Sequence, residues 1–297
     1  MNEIQKRELA VFKEVAKIFD KYSLHYFAIG GTCIGAIRHK GFIPWDDDID
    51  IALPRKDYEL FRTKYYKELP QYLLKLDCDN SREHSFLFTK IHDARTTLVD
   101  YYAKDSIERY TGAFVDIMPI DGLPQDKTAC KNAIDKFKIF DRLNAKCRPV
   151  PLTIYNGSFV GFGKFIVKRI ISAFFQNYYS TKVRNLGCKY NYKDSQKCIF
   201  TWRAGLKNFP QSRIVFPKYF FDETIEVSFE DTTMKIPRYY DEYLTQDFGD
   251  YMQMPPIGEQ RTEHEIYICD MNTPFKFYAE RDKKVYNNRF KIWRKFP

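Results

Sequence analysis

The sequence lacks several features that would assign it to other classes of protein. No uncharged run is long enough to form a transmembrane helix, and residues 1–20 have a charged helical pattern in place of a signal peptide. The seven cysteines form neither a C-x-x-C pair nor a zinc-like spacing, which favours reduced thiols. Internal repeats are also absent. We therefore expect a cytoplasmic globular protein whose 297 residues form one large domain or two modest ones.

Acidic residues are absent from one long stretch of the chain. Between Lys146 and Lys189 the sequence has eight lysines and arginines and no aspartate or glutamate, which nearly accounts for the net charge of +9. Phenylalanines and isoleucines are interspersed with these charges, and a basic amphipathic segment can bind an anionic membrane surface. We expect residues 146–189 to contact the inner face of the cell membrane peripherally; an ordinary core helix with solvated lysines is the alternative. No nucleic-acid-binding module is recognisable, so nucleic acid is not an expected partner.

Strand-like and helix-like segments alternate in the first half of the chain, which predicts an α/β (α+β) fold with a mixed sheet flanked by helices. Residues 48–53 and 114–118 have the apolar composition of buried strands, and Pro119 is expected to end the second. Helical periodicity predicts helices over 4–22 and 127–146. We expect three segments: a catalytic core (1–145), a basic amphipathic helical insertion (146–195) and a C-terminal part that completes the catalytic domain (196–297).

A group of four aspartates falls within five positions, at Asp46, Asp47, Asp48 and Asp50. Like charges this close raise one another's pKa, so the group is expected either to be solvated or to surround a cation. In an extended strand the side chains at 46, 48 and 50 share one face, and Asp47 lies on the other. Carboxylate oxygens suit Mg²⁺ or Mn²⁺, and magnesium leaves coordination positions for substrate phosphate. The spacing therefore predicts a metal site for phosphate chemistry at Asp46, Asp48 and Asp50.

Other motifs share part of this spacing. An EF-hand loop would need glycine where Ile51 stands, and the phosphatase motif D-x-D-x-T/V fails at Ala52. Asp48-x-Asp50 also fits the Asp-x-Asp motif of nucleotide-sugar glycosyltransferases, and that interpretation stays open. A plain solvated acidic turn is the remaining alternative.

A glycine turn, Gly30-Gly31-Thr32, lies between a predicted strand and a predicted helix. Glycines let a ligand approach the backbone, Thr32 can cap the helix, and N–H groups at a helix start can hold phosphate. Followed by the acidic strand, the turn has the arrangement of the nucleotidyltransferase fold, in which a phosphate-binding turn faces a metal-binding strand. That fold usually supplies a further carboxylate. Asp116 fits, because an aspartate in so apolar a strand is costly unless it is bound to metal or is paired with an arginine or backbone N–H groups.

Longer motifs carry a family resemblance. They are Gly30-Gly31-Thr32 with Gly35; Arg38 to Asp50, with the sequence RHKGFIPWDDDID; Lys90 to Asp93; Phe114 to Pro124; and, late in the chain, Ile236-Pro237, Tyr240, Tyr243-Leu244, Phe248 to Met252, Pro255-Pro256, Arg261 and His264. Together they closely resemble the LicD family, phosphotransferases of the nucleotidyltransferase fold related to the fukutin group. The matching motifs lie at both ends of the chain, and residues 145–200 have no counterpart. Cys33 and Phe248 also depart from the family pattern, away from the expected chemistry.

The resemblance implies a function. Members of the family transfer a phospho-alcohol, commonly phosphocholine from CDP-choline, to a sugar hydroxyl of a cell-surface glycan, teichoic-acid or lipopolysaccharide precursor; relatives use other CDP-alcohols. The expected partners are therefore a nucleotide-activated donor and a glycan or glycolipid acceptor. The alternatives are a metal-dependent nucleotide-sugar glycosyltransferase and a non-catalytic, membrane-associated glycan-assembly factor.

The resemblance also implies roles for particular residues. Mg²⁺ or Mn²⁺ held by Asp46, Asp48 and Asp50 would neutralise the donor diphosphate. Asp116 would bind metal or accept the proton of the acceptor hydroxyl. Asp48, Asp50 and Asp116 are thus the expected catalytic residues. The residues expected to hold the donor and its phosphates are Gly30, Gly31, Thr32, Arg38, Lys90, Arg261 and His264.

Overall fold

The computed structural model describes residues 1–79, 86–104, 107–147, 159–175, 177–207, 209–262 and 265–283. The helices are α1 (Glu3–Lys21), α2 (Gly30–Arg38), α3 (Arg55–Thr63), α4 (Lys127–Lys146), α5 (Phe159–Phe175), α6 (Tyr178–Lys189) and α7 (Tyr240–Phe248). The strands are β1 (Phe27–Ala28), β2 (Asp50–Pro54), β3 (Leu73–Leu76), β4 (Thr89–Asp93), β5 (Thr97–Asp100), β6 (Phe114–Gly122), β7 (Lys197–Ile199), β8 (Val215–Pro217), β9 (Thr224–Phe229), β10 (Thr232–Pro237) and β11 (Ile266–Asp270). This mixture confirms the predicted α+β fold class.

A mixed sheet forms the centre of the molecule, with the strand order β1-β2-β6-β4-β3. β2 and β6 run parallel, whereas β1 pairs antiparallel with β2, and β4 pairs antiparallel with both β6 and β3. β7 pairs with the C-terminal end of β6, and β8 pairs with β7. Smaller sheets are formed by β9 with β10 and by β5 with β11. β2 and β6 are therefore neighbours in the interior of the main sheet.

Strand β6 is buried along its whole length and passes through Pro119. The prediction that Pro119 ends this strand is therefore wrong. Proline is tolerated because β4 pairs with β6 only as far as Ile117, and β7 begins to pair at Asp121. At Pro119 the strand is thus paired with β2 alone. One strand can consequently carry both Asp116 and Asp121.

Helices α1 and α3 pack on the main sheet, α1 against β4 and β6 and α3 against β2 and β6. The apolar stripe of α1, which includes Leu9, Phe12 and Phe19, is buried, as its helical spacing predicts. Burial of each such side chain contributes about 1.5–3 kcal/mol. A capping box between Asn2 and Gln5 starts the helix. α1 is thus fixed against the central strand of the sheet.

The two halves of the chain share one hydrophobic core. A single apolar cluster contains Phe27 and Ile51 from the early strands together with Phe200, Phe216 and Tyr243 from the second half. A second cluster joins α4, α6 and the segment around β7. The expected division into segments at residues 145 and 195 stays a prediction.

The basic segment is helical over 159–175 and 178–189. α6 packs against α3 and α4, and α5 packs against α6. Within the described part of the chain, none of the helices combines the length and apolar composition needed to cross a bilayer. The seven cysteines are free thiols.

Candidate active site

Two of the expected site residues, Asp50 and Asp116, occupy paired positions on the parallel strands β2 and β6. Adjacent strands lie about 4.8 Å apart, and paired residues point to the same face of a sheet. Asp116 is buried and Asp50 is half-buried. Strand pairing therefore brings together two carboxylates that are far apart in the sequence.

The other aspartates reach this position from a loop and not from a strand. β2 begins at Asp50, and the residues immediately before it have no regular secondary structure. The strand expected over 48–53 starts two residues late, because its pairing with β6 begins only at Asp50 and its pairing with β1 only at Ile51. Strand alternation therefore does not decide which way the loop carboxylates point. Asp47 is buried, whereas Asp46 and Asp48 are half-buried.

Gln5 of helix α1 holds this acidic loop in place. Its side-chain amide donates hydrogen bonds to the carbonyl oxygens of Asp46, at 2.8 Å, and Ile43, at 3.3 Å. Gln5 itself is buried. Because a buried amide without a partner is costly, these bonds favour one conformation of the loop. The role of Gln5 was not expected from the sequence.

Thr32 connects the glycine turn to strand β2. Helix α2 begins at Gly30, with Ile29 at its N-cap and no side-chain cap, so the prediction that Thr32 caps the helix is wrong. Thr32 lies instead in the first turn of α2, where its side chain is buried. Its Oγ1 accepts a hydrogen bond from the backbone N–H of Asp50 at 2.8 Å. The hydroxyl thus ties the start of α2 to the first residue of β2.

Gly30 and Gly31 allow two carboxylates to approach the start of α2. A Cβ on Gly31 would lie 2.5 Å from Asp46 Oδ2, so any side chain there would require that carboxylate to shift, and one on Gly30 would lie 3.4 Å from Asp50 Oδ2. Gly30 also has a positive φ of 57°, which favours glycine. The Gly30 N–H donates to the hydroxyl of Tyr243 at 3.0 Å. The turn therefore faces the acidic residues, and its expected role in holding phosphate stays a prediction.

The carboxyl group of Asp50 is in an unfavourable environment for a negative charge. Burial raises its pKa well above the usual range, and the charges of Asp48, Asp116 and Asp46 raise it further in that order. Arg203 acts in the opposite direction. Asp50 Oδ1 is buried and has no hydrogen-bond partner among the described residues. Such a group favours a proton or a nearby cation.

Lys90 pairs with Asp116 across strands β4 and β6. The ammonium group lies 2.9 Å from the Asp116 carboxylate and 3.4 Å from the centre of the Phe114 ring. Both members of the pair are buried. Removing one partner from a buried ion pair typically costs about 3–5 kcal/mol, because it leaves the other charge uncompensated. Asp116 is therefore satisfied by a lysine, and Lys90 lies beside the carboxylate group.

Arg203, from the second half of the chain, also reaches the site and was not expected from the sequence. Its Nη1 donates to Asp247 at 2.6 Å, and its guanidinium lies 4.4 Å from the Trp202 ring centre. Its Nη2 faces the turn, 3.8 Å from where a Cβ on Gly30 would be. One guanidinium nitrogen of Arg203 is thus held by Asp247, and the other faces the turn beside Asp50. Sequence periodicity gives no signal for this contact, because it depends on tertiary packing.

Glu8 of helix α1 adds a further carboxyl group that interacts electrostatically with the aspartates of the acidic loop. It is fully buried, and neither of its side-chain oxygens has a hydrogen-bond partner within the described ranges. Burial is the largest cause that raises its pKa well above the usual range, and the charges of Asp48, Asp47 and Asp46 raise the pKa further. The charge of Lys90 lowers it. The sequence did contain a signal for the role of these two residues, because Gln5 and Glu8 are polar residues within the apolar stripe of α1.

Two expected phosphate-binding residues, Arg38 and Arg261, are not brought to this site by the described contacts. Arg38 lies at the other end of α2, about 12 Å along the helix from Gly30. Its Nη1 donates to the carbonyl oxygens of Tyr251, at 2.7 Å, and Gln253, at 3.3 Å. Arg261 is exposed in the segment before β11. His264 lies outside the described residues.

The donor set fits a metal ion that is shared with a substrate. Within the described ranges, no group of three or more histidine, cysteine, aspartate or glutamate side chains is arranged to hold a metal. However, Mg²⁺ is usually held by one or two carboxylates, with water and substrate phosphate completing its shell. The buried, unpartnered oxygen of Asp50 and the like charges around it fit such a partial site. The four-carboxylate set at Asp46, Asp48, Asp50 and Asp116 stays a prediction.

Comparison with known proteins places these features in a recognised domain. Residues 23–139 match the family described as "LicD/FKTN/FKRP, nucleotidyltransferase domain". This range contains the glycine turn, the acidic loop, Lys90 and Asp116, but not Glu8 or Arg203.

The matching curated proteins include one similar over nearly its whole length. Lipopolysaccharide cholinephosphotransferase LicD of Haemophilus influenzae is 29% identical over 255 residues, which are 84% of this chain and 91% of that protein. An uncharacterized protein of Rickettsia typhi is 32% identical over 71 residues, 23% of this chain and 22% of that protein. One of Rickettsia prowazekii is 36% identical over 55 residues, 18% of this chain and 21% of that protein.

Proposed function

Because the chain belongs to the LicD family, we propose that it is a phosphotransferase that moves phosphocholine from CDP-choline to a sugar hydroxyl of a lipopolysaccharide precursor or a related cell-surface glycan. The similarity to the Haemophilus cholinephosphotransferase over most of both chains supports the reaction class. The observation that carries the proposal is the pairing of Asp50 with Asp116 beside the Gly30-Gly31 turn. The same arrangement in a mixed sheet supports assignment to the nucleotidyltransferase fold.

In the proposed reaction, the acceptor hydroxyl oxygen attacks the phosphorus of the phosphocholine group. A new P–O bond forms, the bond to CMP breaks, and CMP leaves with the electron pair of that bond. The hydroxyl proton passes to Asp116, whose carboxylate is oriented by Lys90. The remaining N–H donors of Lys90, together with Arg203, would balance the negative charge of the leaving CMP.

We propose that Mg²⁺ or Mn²⁺ accompanies the donor and is held chiefly by Asp48 and Asp50, with Asp46 and Asp116 beside it. When bound, the cation would neutralise the donor diphosphate. The raised pKa of Asp50 and its buried, unpartnered oxygen support this assignment. Asp46 is positioned for the same purpose by the hydrogen bond from Gln5 to its carbonyl oxygen and by the space that Gly31 leaves for its carboxylate.

We place the reaction in the cytoplasm, at the inner face of the membrane, with a glycan or glycolipid as acceptor. The lipopolysaccharide named for the Haemophilus relative supports a glycolipid acceptor. The seven free thiols fit a reducing compartment.

A donor panel tests the proposed activity. The purified chain is incubated with CDP-choline, CDP-ethanolamine, CDP-ribitol, CDP-glycerol or a nucleotide sugar, in the presence of Mg²⁺ and a lipopolysaccharide-derived acceptor, and the release of nucleotide is measured. We expect CMP release to be fastest from CDP-choline, to stop in EDTA and to return with excess Mg²⁺. Turnover of the nucleotide sugar with no reaction of any CDP-alcohol would favour the glycosyltransferase alternative. Another preferred CDP-alcohol would correct the donor while leaving the reaction class intact.

A further inference from the structure

Helix α5 leaves a large apolar surface exposed. Val167 is 56% exposed, Ile170 53% and Phe174 78%, and the neighbouring large apolar side chains on the helix are also exposed. Only Phe165 and Ser172 are buried among the α5 side chains that the structure describes. Soluble proteins seldom leave so many large apolar side chains together in water. We therefore expect a binding partner to cover this surface.

The exposed apolar residues lie on one side of α5. Positions 166, 170 and 174 follow one another at intervals of four, as do positions 167, 171 and 175, so they form two adjacent rows along the helix. Phe165 and Ser172 fall on the opposite side, where α5 packs against the protein. We call the two rows the outer face of α5. The outer face is continuous, and it points away from the packed side of the helix.

The charged residues of α5 are all positive. Lys164, Lys168 and Arg169 are exposed on α5 itself. No aspartate or glutamate occurs between Lys146 and Lys189. An apolar strip bordered by basic side chains complements a surface that is apolar inside and anionic outside, which is the arrangement of an anionic lipid bilayer. A second copy of the chain fits less well, because a symmetric contact through this face would bring like charges together.

We propose that the outer face of α5 docks this protein peripherally on an anionic lipid bilayer. The helix lies parallel to the membrane, with its two apolar rows at the boundary between headgroups and acyl chains and its basic residues at the lipid phosphates. The helix has 17 residues and is therefore about 25 Å long, so docking along its length is favoured over insertion across the bilayer. α5 contacts α6, which packs on β6, so docking would hold the sheet that carries the candidate site close to the membrane.

The test is co-sedimentation of the full chain with vesicles, which requires no catalysis. The vesicles contain phosphatidylcholine alone or phosphatidylcholine with phosphatidylglycerol. We expect binding to the anionic vesicles that weakens at high salt, because salt screens the lysine and arginine charges. The affinity of the double variant Ile170→Gln/Phe174→Gln for these vesicles should be lower by about tenfold or more, because the variant removes apolar area from the outer face.

Two matched variants separate this role from general effects. Ile257→Gln/Phe277→Gln alters the same residue types at other exposed positions, 88% and 59% exposed, and should bind vesicles as the unaltered chain does. Lys164→Gln/Lys168→Gln keeps the apolar rows and should lose mainly the preference for anionic lipid. Thermal unfolding and CMP release from CDP-choline should be unchanged in all of these variants, so failure of docking is distinguishable from failure of the proposed activity.

Several outcomes would overturn the proposal. Absence of binding to anionic vesicles at low salt would do so. Equal binding by the Ile170→Gln/Phe174→Gln variant would assign any membrane contact to another surface. A dimer of the unaltered chain that this variant dissociates, without vesicle binding by either protein, would assign the outer face to a second copy of the chain.

Discussion

The backbone and the side chain of Asp50 have very different surroundings. The backbone N–H donates to Thr32 at 2.8 Å, and the carbonyl oxygen accepts from the Ile29 N–H at 3.1 Å. The side-chain Oδ1, in contrast, is buried with no hydrogen-bond partner within the described ranges. The residue is therefore fixed in position while its carboxylate is kept for another ligand, which is the usual design of a binding site on a rigid element.

Also at the residue scale, the importance of the close approach of Asp46 to Gly31 can be tested by adding one methyl group to the glycine. In Gly31→Ala the new Cβ would lie 2.5 Å from Asp46 Oδ2 and must displace that carboxylate. We expect CMP release to fall by about tenfold or more, since a small misplacement of a reacting group is costly. Gly163→Ala is the control, because nothing lies within 4 Å of its Cβ position. Equal activity in the two variants would show that the position of Asp46 is unimportant.

Arg203 can be compared with Arg213, because both side chains pair with Asp247. Only Arg203 also faces the Gly30 turn and acts on the charge of Asp50. We expect Arg203→Gln to raise the KM for CDP-choline by about tenfold or more, since it removes a charge-assisted contact to phosphate. Arg213→Gln should leave that KM near its normal value. The kinetic constants are measured alongside thermal unfolding, and an unchanged KM in Arg203→Gln would restrict Arg203 to a structural role.

At the level of elements, much of the fold follows from local sequence patterns. Helix α4 has the bounds that its periodicity predicts, and α1 differs by one residue at each end. The predictions are wrong where pairing with strands distant in the sequence determines the structure. Pro119 continues a strand because β4 and β7 leave a gap beside it, and the acidic loop stays irregular because β2 pairs with its neighbours only from Asp50 onward. Local periodicity contains no information about those neighbours.

Strand β4 carries a pH-sensitive group next to Lys90. His92 is buried, and burial lowers its pKa from 6.5 to about 4; its Nδ1 accepts a hydrogen bond from the Gly112 N–H at 3.2 Å. Because the unfolded chain binds the proton more tightly than the folded one, stability is lost as the pH falls from 6.5 toward 4.

We expect this histidine to account for about 3 kcal/mol of the unfolding free energy lost over that interval. His92→Gln keeps an acceptor but does not titrate, so its stability should change less over the same pH range. Denaturant unfolding at several pH values measures the difference. Parallel pH profiles for the two proteins would contradict the assignment.

At the level of the whole molecule, the candidate site is assembled from both ends of the chain. The N-terminal helix supplies Gln5 and Glu8, and the second half supplies Arg203 and Tyr243. The aspartates and the glycine turn could be proposed from the sequence because they form short motifs. Arg203 could not, because its place at the turn depends on the packing of two halves around one core. The net positive charge, by contrast, is concentrated in residues 146–189, which include the helix α5 that we propose to dock on lipid.

The most direct test of the account follows the choline group itself. The unaltered chain, Asp50→Asn and Asp116→Asn are incubated with Mg²⁺, CDP-choline labelled in its choline methyl groups and a lipopolysaccharide-derived acceptor, and the label in the acceptor is counted. We expect transfer by the unaltered chain and a loss of about a hundredfold or more in both variants. Asp50→Asn should unfold at the same or a higher temperature, since it relieves repulsion among the aspartates. Label transfer by a folded Asp50→Asn variant at the normal rate, or none by the unaltered chain with any acceptor, would contradict the account.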